Sequence, residues 1–272
     1  MICEICPHHC DIKEKGVGFC RARANVGGEI SCINYGRLTS ISLDPIEKKP
    51  LNRFFPGSMI LSIGSFGCSL RCGFCQNYGI SMADSKAEAV YVSPEELISK
   101  ALELVPRGNI GLAFTYNEPL VSYEYVYDCA ILAHENNLKT VLVTNGMICA
   151  EPLERLLPHI DAMNIDLKGF SDSFYKNVSG DFETVKATIS ASSKACHIEV
   201  TTLVIPGEND NLNDMELEAK WLASLDPEIP LHISRFFPRY KMRDKEATPV
   251  ETIYALRDVA SRYLKYVYTG NC

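Results

Sequence analysis

The sequence predicts an α/β fold in which parallel strands alternate with helices. After residue 58 the chain repeats one unit, a short apolar run rich in β-branched residues, a turn, and a segment with helical spacing. The chain has 272 residues with 46% hydrophobic content, which is enough for one large core. Six apolar runs of this kind are present, fewer than the eight strands of a closed TIM barrel.

Each predicted element has a local signal. The strands are predicted at residues 59–64, 109–115, 140–144, 162–167, 197–205 and 231–236. A capping box, Ser93-Pro94-Glu95-Glu96, has proline at the first helical position and begins a helix that ends at about Leu104. The later helices are predicted at about 120–136, 151–157, 181–194, 212–224 and 249–263.

Polar residues recur where the predicted strands end. A cysteine-containing loop follows the first strand, and Tyr116-Asn117-Glu118-Pro119 follows the second. Asn145-Gly146 follows the third strand, and Asp166-Leu167-Lys168 closes the fourth. In parallel α/β barrels the loops after the strands converge on one face, so these residues predict an active site there.

Composition and charge narrow the class of protein. The formal net charge is −7 and the isoelectric point is about 5.5, which argues against a nucleic-acid surface as the main partner. No run of about 18 apolar residues is present, and the N-terminus lacks the pattern of a signal peptide. We therefore expect a soluble, cytoplasmic protein without a membrane partner. Seven of the twelve cysteines fall into two metal-type groups, which favours a reducing and oxygen-poor compartment.

The first of these groups is Cys68, Cys72 and Cys75, spaced as CxxxCxxC. A [4Fe-4S] cluster normally takes four thiolates, so three cysteines leave one iron open to a ligand from outside the protein. A closed zinc site would need a fourth ligand nearby, and no cysteine or histidine lies between Cys75 and Cys129. The spacing therefore predicts a [4Fe-4S] cluster that takes part in chemistry.

The second group comprises Cys3, Cys6, Cys10 and Cys20. Four soft ligands in so short a span can close around one metal, and the alternatives are a structural zinc ion, an auxiliary iron–sulfur cluster, and unmetallated or redox-active thiols. The Gly27-Gly28-Glu29 turn and the runs 30–33 and 37–41 predict a small hairpin behind it. We expect residues 1–56 to form this cysteine-rich segment and 57–272 to form the core.

The cysteine loop resembles the radical S-adenosylmethionine (radical SAM) superfamily, whose signature CxxxCx(aromatic)C has Phe74 at the aromatic position here. The resemblance implies an open (βα)6 partial TIM barrel with its active site at the carboxyl ends of the strands. It also implies that SAM chelates the open iron and is cleaved after one-electron reduction to a 5'-deoxyadenosyl radical.

Three further stretches resemble the glycyl-radical-enzyme activases within that superfamily: Asn117-Glu118-Pro119, Thr144-Asn145-Gly146 and Asp166-Leu167-Lys168. By this resemblance Glu118 would contact the SAM amino group, Asp166 its ribose and Lys168 its carboxylate. His232 would be the SAM-contacting histidine of strand six. The resemblance thus assigns six residues to SAM binding, Asn117, Glu118, Asn145, Asp166, Lys168 and His232. Val143 replaces the activases' cation-binding aspartate.

Over nearly its whole length the chain resembles the AmmeMemoRadiSam-system radical SAM family, whose members are similar to pyruvate formate-lyase activating enzyme. This implies an electron donor such as flavodoxin or ferredoxin and a glycyl radical enzyme or other protein as substrate. The alternatives are radical modification of a small molecule, peptide or other macromolecule, and a non-catalytic metal scaffold. A basic stretch indicates either an acidic substrate or a solvated loop; its members are Arg235, Arg239, Lys241, Arg243 and Lys245.

Overall fold

The computed structural model describes residues 1–272 and contains twelve strands. The strands are β1 Arg23–Val26, β2 Glu29–Cys32, β3 Arg37–Leu38, β4 Ser40–Pro45, β5 Met59–Gly64, β6 Val90–Tyr91, β7 Asn109–Phe114, β8 Lys139–Thr144, β9 Ala162–Asp166, β10 His197–Val204, β11 Leu231–Arg235 and β12 Val267–Gly270. The α-helices are α1 Tyr78–Ser81, α2 Pro94–Glu103, α3 Tyr123–Glu135, α4 Ala150–Leu156, α5 Asp172–Asn177, α6 Phe182–Ser192, α7 Leu212–Leu225 and α8 Val250–Ala260. None of these helices has the length and apolar character needed to span a bilayer.

The central sheet has eight strands in the order β12-β11-β10-β9-β8-β7-β5-β4. The strands from β5 to β12 in this sheet are parallel, and β4 is antiparallel to β5 at one edge. All six predicted strands are present, so the predicted α/β fold of parallel strands and helices is confirmed. Besides these six strands, the sheet contains β4 and β12, which lie at its two edges.

Four of the eight α-helices begin at a residue whose side chain caps the first turn. At α2 the Ser93 hydroxyl accepts the backbone N–H of Glu96, and the Glu96 carboxylate accepts the backbone N–H of Ser93. Side chains that accept a backbone N–H also begin α5, α6 and α7. The short helices α1 and α5 were not predicted.

The N-terminal hairpin differs from its prediction. The Gly27-Gly28 turn joins β1 to β2, and residues 30–33 therefore pair with a strand that precedes them. Of the run 37–41, β3 pairs with β6 and the rest belongs to β4. The predicted partner was wrong because β2 pairs with the preceding strand across the two-residue Gly27-Gly28 turn, whereas β3 and β4 pair with strands farther along the chain.

The segment between β4 and β5 closes the amino end of the barrel. Ile46, Leu51 and Phe54 form a small core with residues at the beginnings of the strands. The buried carboxylate of Glu199 accepts the backbone N–H groups of Asn52 at 3.0 Å and Arg53 at 2.7 Å. The opposite, carboxyl end of the barrel therefore carries the opening.

Candidate active site

The carboxyl ends of the parallel strands surround an open cavity of about 520 Å³. Residues after β5, β7, β8 and β9 line it, and these include all the predicted barrel site residues except His232. The lining members are Cys68, Cys72, Cys75, Asn117, Glu118, Asn145, Asp166 and Lys168. A cavity of this volume is large enough for a cofactor-sized ligand.

The cysteine loop is built against the N-terminal segment. Gly67 has a φ of +92°, and a Cβ atom at this position would lie 2.6 Å from the backbone oxygen of Cys20. Cys68 donates its backbone N–H to the same oxygen at 3.2 Å. Glycine adopts positive φ at little cost and has no Cβ atom. The glycine before the first cysteine therefore allows the two segments to touch.

Two side chains hold the backbone of the cysteine loop in place. Arg71 donates to the carbonyl oxygens of Cys68 and Leu70, each at 2.9 Å, and its guanidinium lies 3.9 Å from the ring centroid of Phe19. His8 donates from Nε2 to the carbonyl oxygen of Ser69 at 2.7 Å. The N-terminal segment thus supplies part of the support for the cysteines that line the cavity.

The Cys68 sulfur receives two N–H groups. The backbone N–H of Leu70 lies 3.3 Å from Sγ, and Nδ2 of Asn145 lies 3.6 Å from it. Oδ1 of Asn145 accepts the backbone N–H of Met147 at 2.9 Å. Because that contact needs an acceptor, the amide orientation is determined, and Nδ2 faces the sulfur.

Burial also sets the protonation of the thiols. It raises the pKa of Cys72 to about 12 and that of Cys68 well above its ordinary value. A buried thiol favours its neutral form unless a cation compensates the thiolate charge. Metal ligation supplies such a cation and displaces the proton.

Glu118 is buried and joins the ends of two strands. Its carboxylate accepts the Thr144 hydroxyl at 2.7 Å, the backbone N–H of Asn145 at 2.8 Å and that of Leu120 at 3.0 Å. Burial raises the pKa of Glu118 to about 7. A carboxylate has about four acceptor positions, so three bonds leave room for one donor from the cavity.

Asp166 and Lys168 place opposite charges on the cavity wall, with their side chains 2.8 Å apart. Burial alone would lower the pKa of Lys168, but the negative charge of Asp166 raises it above its ordinary value. The ammonium therefore stays charged. A ligand that carries both an amino and a carboxylate group finds partners for both here.

Asn117 lines the cavity, but its amide is bonded to the cysteine loop. Oδ1 accepts the backbone N–H of Ser65 at 2.8 Å, and Nδ2 donates to the carbonyl oxygen of Gly67 at 3.1 Å. The residue therefore fixes the loop after β5 relative to the end of β7. Its assignment to SAM contact stays a prediction.

His232 is not among the residues that line the cavity, and its contact with SAM stays a prediction. Its Nε2 donates to the buried carboxylate of Glu199 at 2.6 Å, and its ring stacks on Tyr268 with centroids 5.1 Å apart. His232 is the second residue of β11, whereas the cavity is lined from Ser234 onward. In this structure the His232 side chain is therefore engaged by Glu199.

Two arginines of the basic stretch face the cavity. Arg235 donates from Nε to the carbonyl oxygen of Thr248 at 2.6 Å, and its guanidinium lies 4.8 Å from the ring centroid of Phe237. Arg239 also lines the cavity and forms no ion pair. Lys245 instead pairs with Glu208 at 3.0 Å. Only part of the stretch is therefore available to an acidic group in the cavity.

Sequence reasoning missed two contributors to the site. Tyr116 has a φ of +69° at the cavity wall, and its hydroxyl donates to Asp44 at 2.6 Å. A left-handed tyrosine has no sequence signal of its own. Ser69 accepts Asn145 Nδ2 at 3.1 Å, and its position inside the cysteine motif was the available signal.

The cysteine triad fits the predicted cluster. A [4Fe-4S] cluster binds each cysteine through a different iron, so its ligands stand apart around a space. Three soft thiol donors on one cavity wall match that requirement.

Comparisons with known proteins agree with this geometry. A model of the Radical SAM superfamily matches residues 62–218, which include the cysteine triad and the ends of β7, β8 and β9. The chain is 42% identical to the uncharacterised protein MJ0808 of Methanocaldococcus jannaschii over 275 aligned residues, covering 99% of this chain and 80% of that protein.

A second relative carries a functional name. The chain is 29% identical to a pyruvate formate-lyase-activating enzyme of Clostridium pasteurianum, over 73% of this chain and 87% of that protein. Among solved structures, a radical SAM methyltransferase from Sphaerobacter thermophilus superposes with a TM-score of 0.57 at 15% identity. The superposition covers 79% of this chain and 67% of that one. This structural similarity shows the shared fold and no more.

Proposed function

The chain belongs to the radical SAM superfamily, and from this premise we propose that it cleaves SAM reductively and generates a radical on a partner protein, as glycyl-radical-enzyme activases do. One observation carries the proposal. The CxxxCxxC cysteines line the same cavity as the charged pair Asp166–Lys168 and the carboxylate of Glu118. A cluster and a zwitterionic ligand can therefore lie side by side at the carboxyl ends of the strands.

In this proposal Cys68, Cys72 and Cys75 hold a [4Fe-4S] cluster, whose fourth iron is left for SAM. Once reduced by an external one-electron donor, the bound cluster would supply one electron to the SAM sulfonium, giving methionine and a 5'-deoxyadenosyl radical able to abstract a hydrogen atom from the substrate. Lys168 attracts the SAM carboxylate, and Glu118 has one acceptor position for the SAM ammonium. Asp166 is assigned to the ribose hydroxyls.

The loop around the triad orients these groups. Asn117 ties the cysteine loop to β7, and Glu118 ties the end of β7 to that of β8. These bonds set the positions of the ligands before anything binds, which lowers the cost of ordering them. The proposal also includes a metal at Cys3, Cys6, Cys10 and Cys20.

The activase-like role is supported by the relative from Clostridium pasteurianum, which is named for activating pyruvate formate-lyase. We infer that the substrate is a glycine Cα–H of a partner enzyme, and that reduced flavodoxin or ferredoxin supplies the electron. A cavity open to solvent at the barrel mouth could admit a protein loop.

A second candidate function is the modification of a small molecule or peptide that carries an acidic group. The observation that favours it is the position of Arg235 and Arg239 on the cavity wall, with Arg239 free of any carboxylate partner. Guanidinium groups bind carboxylates and phosphates through paired hydrogen bonds.

The test of SAM cleavage is anoxic reconstitution with iron and sulfide, addition of dithionite and SAM, and chromatography for 5'-deoxyadenosine. The wild-type protein should form it and the Cys72→Ala variant should not. Cys129→Ala is the matched control, because Cys129 is a buried cysteine of α3 far along the chain from the triad. Product from the Cys72→Ala variant at the normal rate would refute the ligand assignment.

A separate experiment divides the two candidate functions. The reduced protein is mixed with SAM and a candidate glycyl radical enzyme, and electron paramagnetic resonance is recorded. The doublet of a glycyl radical supports the activase role. If SAM is cleaved but no partner enzyme gains a radical, while a small acidic compound is converted, the second function is the correct one.

A further inference from the structure

A buried ion pair lies behind one wall of the open cavity, and the proposed SAM chemistry does not use it. Lys49 Nζ lies 2.9 Å from Oδ2 of Asp44, and only 2% of Lys49 and 8% of Asp44 is exposed. Neither residue lines the cavity. Desolvation offsets much of the attraction within a buried pair, so stability alone does not account for it. Its contacts indicate another role.

The pair holds the phenol of Tyr116, which does line the cavity. The Tyr116 hydroxyl donates to Oδ2 of Asp44 at 2.6 Å, and Lys49 Nζ lies 4.9 Å from the centroid of the Tyr116 ring. Lys48 is a second cation at this carboxylate, 3.4 Å from Oδ1. Burial and the bond to Asp44 raise the pKa of Tyr116 to about 12, so the phenol keeps its proton. Burial alone would raise the pKa of Asp44, but the bonds from Tyr116 and Lys49 lower it below its ordinary value.

The backbone of Tyr116 has a conformation that needs such support. Its φ is +69°, in the left-handed region that a bulky side chain rarely adopts. The ring lies against Gly64 at the end of β5, where an added Cβ atom would be 2.9 Å from Cβ and Cδ2 of Tyr116. A strained residue persists only where its surroundings over-determine it, and such residues cluster at functional sites. Gly64, Asp44 and Lys49 together provide those surroundings.

The strained turn joins the cysteine loop to the residue assigned to the SAM ammonium. The Tyr116 carbonyl oxygen accepts Nδ2 of Asn77 at 2.8 Å, and Asn77 lies two positions after Cys75. On the other side, Asn117 and Glu118 follow Tyr116 directly in the chain. The direction of the chain at Tyr116 therefore determines where Glu118 enters the cavity.

We propose that Tyr116, held by the Asp44–Lys49 pair, is a positioning residue that sets the Glu118 carboxylate for the amino group of the ligand. The role rests on the proposed binding of SAM and adds two residues outside the cavity on which that binding depends. Because Tyr116 acts through Glu118, its loss should weaken the binding of ligands that carry the amino group and of no others. A merely structural residue would not make this distinction.

The experiment measures equilibrium binding to the full-length chain after anoxic reconstitution, without a reductant, so that SAM is not cleaved. The probes are SAM and an analogue that differs only in lacking the amino group. Tyr116→Phe keeps the ring and loses the hydroxyl, and it should raise the Kd of SAM about tenfold, as expected for one lost hydrogen bond to a charged group. The Kd of the analogue should stay the same. Tyr123→Phe is the matched control, because the buried Tyr123 hydroxyl has no hydrogen-bond partner, and it should change neither Kd.

Lys49→Met tests the next contact in the chain. It should raise the Kd of SAM by a similar factor, and adding Tyr116→Phe should raise it no further, because both changes act through one set of contacts. Additive effects of the two changes would overturn the positioning role. An unchanged Kd of SAM in Tyr116→Phe, or an equal increase for both probes, would also overturn it.

Hydrogen exchange of the ligand-free protein supplies a measurement that does not depend on SAM. The amides of residues 115–118 should exchange faster in Tyr116→Phe than in the wild type and in Tyr123→Phe, and equal exchange would overturn the hold on the turn. If Lys49→Met does not fold, binding and exchange in Tyr116→Phe decide. A wild type that binds no SAM refutes the proposed function and this role together, whereas unchanged binding by Tyr116→Phe refutes the role alone.

Discussion

Removing the Asn145 side-chain donor should make the barrel cluster harder to reduce. Asn145 Nδ2 is one of two N–H groups directed at the Cys68 sulfur, at 3.6 Å beside the Leu70 N–H at 3.3 Å. Hydrogen bonds to cluster sulfurs stabilise the more negative, reduced state and so raise the reduction potential. The Asn145→Leu variant keeps the volume of the side chain but loses this donor.

The magnitude follows from one lost bond. A hydrogen bond to a charged group contributes about 1.5–3 kcal/mol, and only the part that grows when the cluster gains an electron affects the potential. If about half of the hydrogen-bond energy is gained only on reduction, loss of the donor destabilises the reduced state by about 1 kcal/mol. The one-electron reduction potential then falls by roughly 40 mV. A potentiometric titration followed by electron paramagnetic resonance, without SAM, measures this shift.

Two variants sharpen that measurement. Asn145→Asp keeps an acceptor for the Met147 N–H but replaces the donor by oxygen, and its potential should fall at least as far. Ser69→Ala removes the other partner of Nδ2 and leaves both N–H groups on the sulfur, so its potential should match the wild type. An unchanged potential in Asn145→Leu, together with weaker SAM binding, would show that Asn145 acts on SAM alone.

Two further predictions concern the framework around the site. Gly67→Ala should lower the free energy of unfolding by about 2 kcal/mol or more and reduce the iron content, because φ is +92° and the new Cβ would lie 2.6 Å from the Cys20 oxygen. Gly73→Ala in the same loop meets only ordinary contacts at 3.5 Å and is the control; equal urea midpoints would contradict the argument. Burial alone would raise the pKa of Glu199, but bonds from His197, His232 and the Arg53 N–H lower it from 4.5 to about 2. The stabilisation from the Glu199 carboxylate is therefore present above pH 4.5 and lost as the pH falls toward 2. Glu199→Gln should lower the free energy of unfolding at pH 7 by on the order of 3 kcal/mol. In urea titrations, the difference in unfolding free energy between the wild type and Glu199→Gln should shrink between pH 4.5 and 2. A difference that does not change with pH would refute the stabilising role of the Glu199 carboxylate.

Much of the fold was predictable because its signals are local. The apolar runs predicted six strands of the central sheet, and the capping box at Ser93 predicted the beginning of α2. The pairing of residues 30–33 was predicted wrongly, β4 was predicted only at its first residues within the run 37–41, and β12 was missed. β4 and β12 lie at the edges of the sheet, where one neighbouring strand decides the pairing and the residue pattern is weak.

Some features of the candidate site were predictable from the sequence and others were not. The spacing of Cys68, Cys72 and Cys75 and the positions of Glu118, Asp166 and Lys168 after strands were enough to predict a shared cavity, because parallel strands end on one face. The bond of His232 to Glu199 was not predictable, since depth along a strand depends on register and on the burial of that partner. The fit of Gly67 against Cys20 was also not predictable.

The sequence by itself determined the α/β class, the spacing of the two cysteine groups and the polar residues at the strand ends, because these depend on neighbours within a few residues. Only the tertiary structure decided that Asn145 faces the Cys68 sulfur, that His232 turns to Glu199, and that the N-terminal cysteines lie beside the barrel loop. Those contacts join residues separated by tens of positions, and their partners are selected by packing and by the need to satisfy buried polar groups.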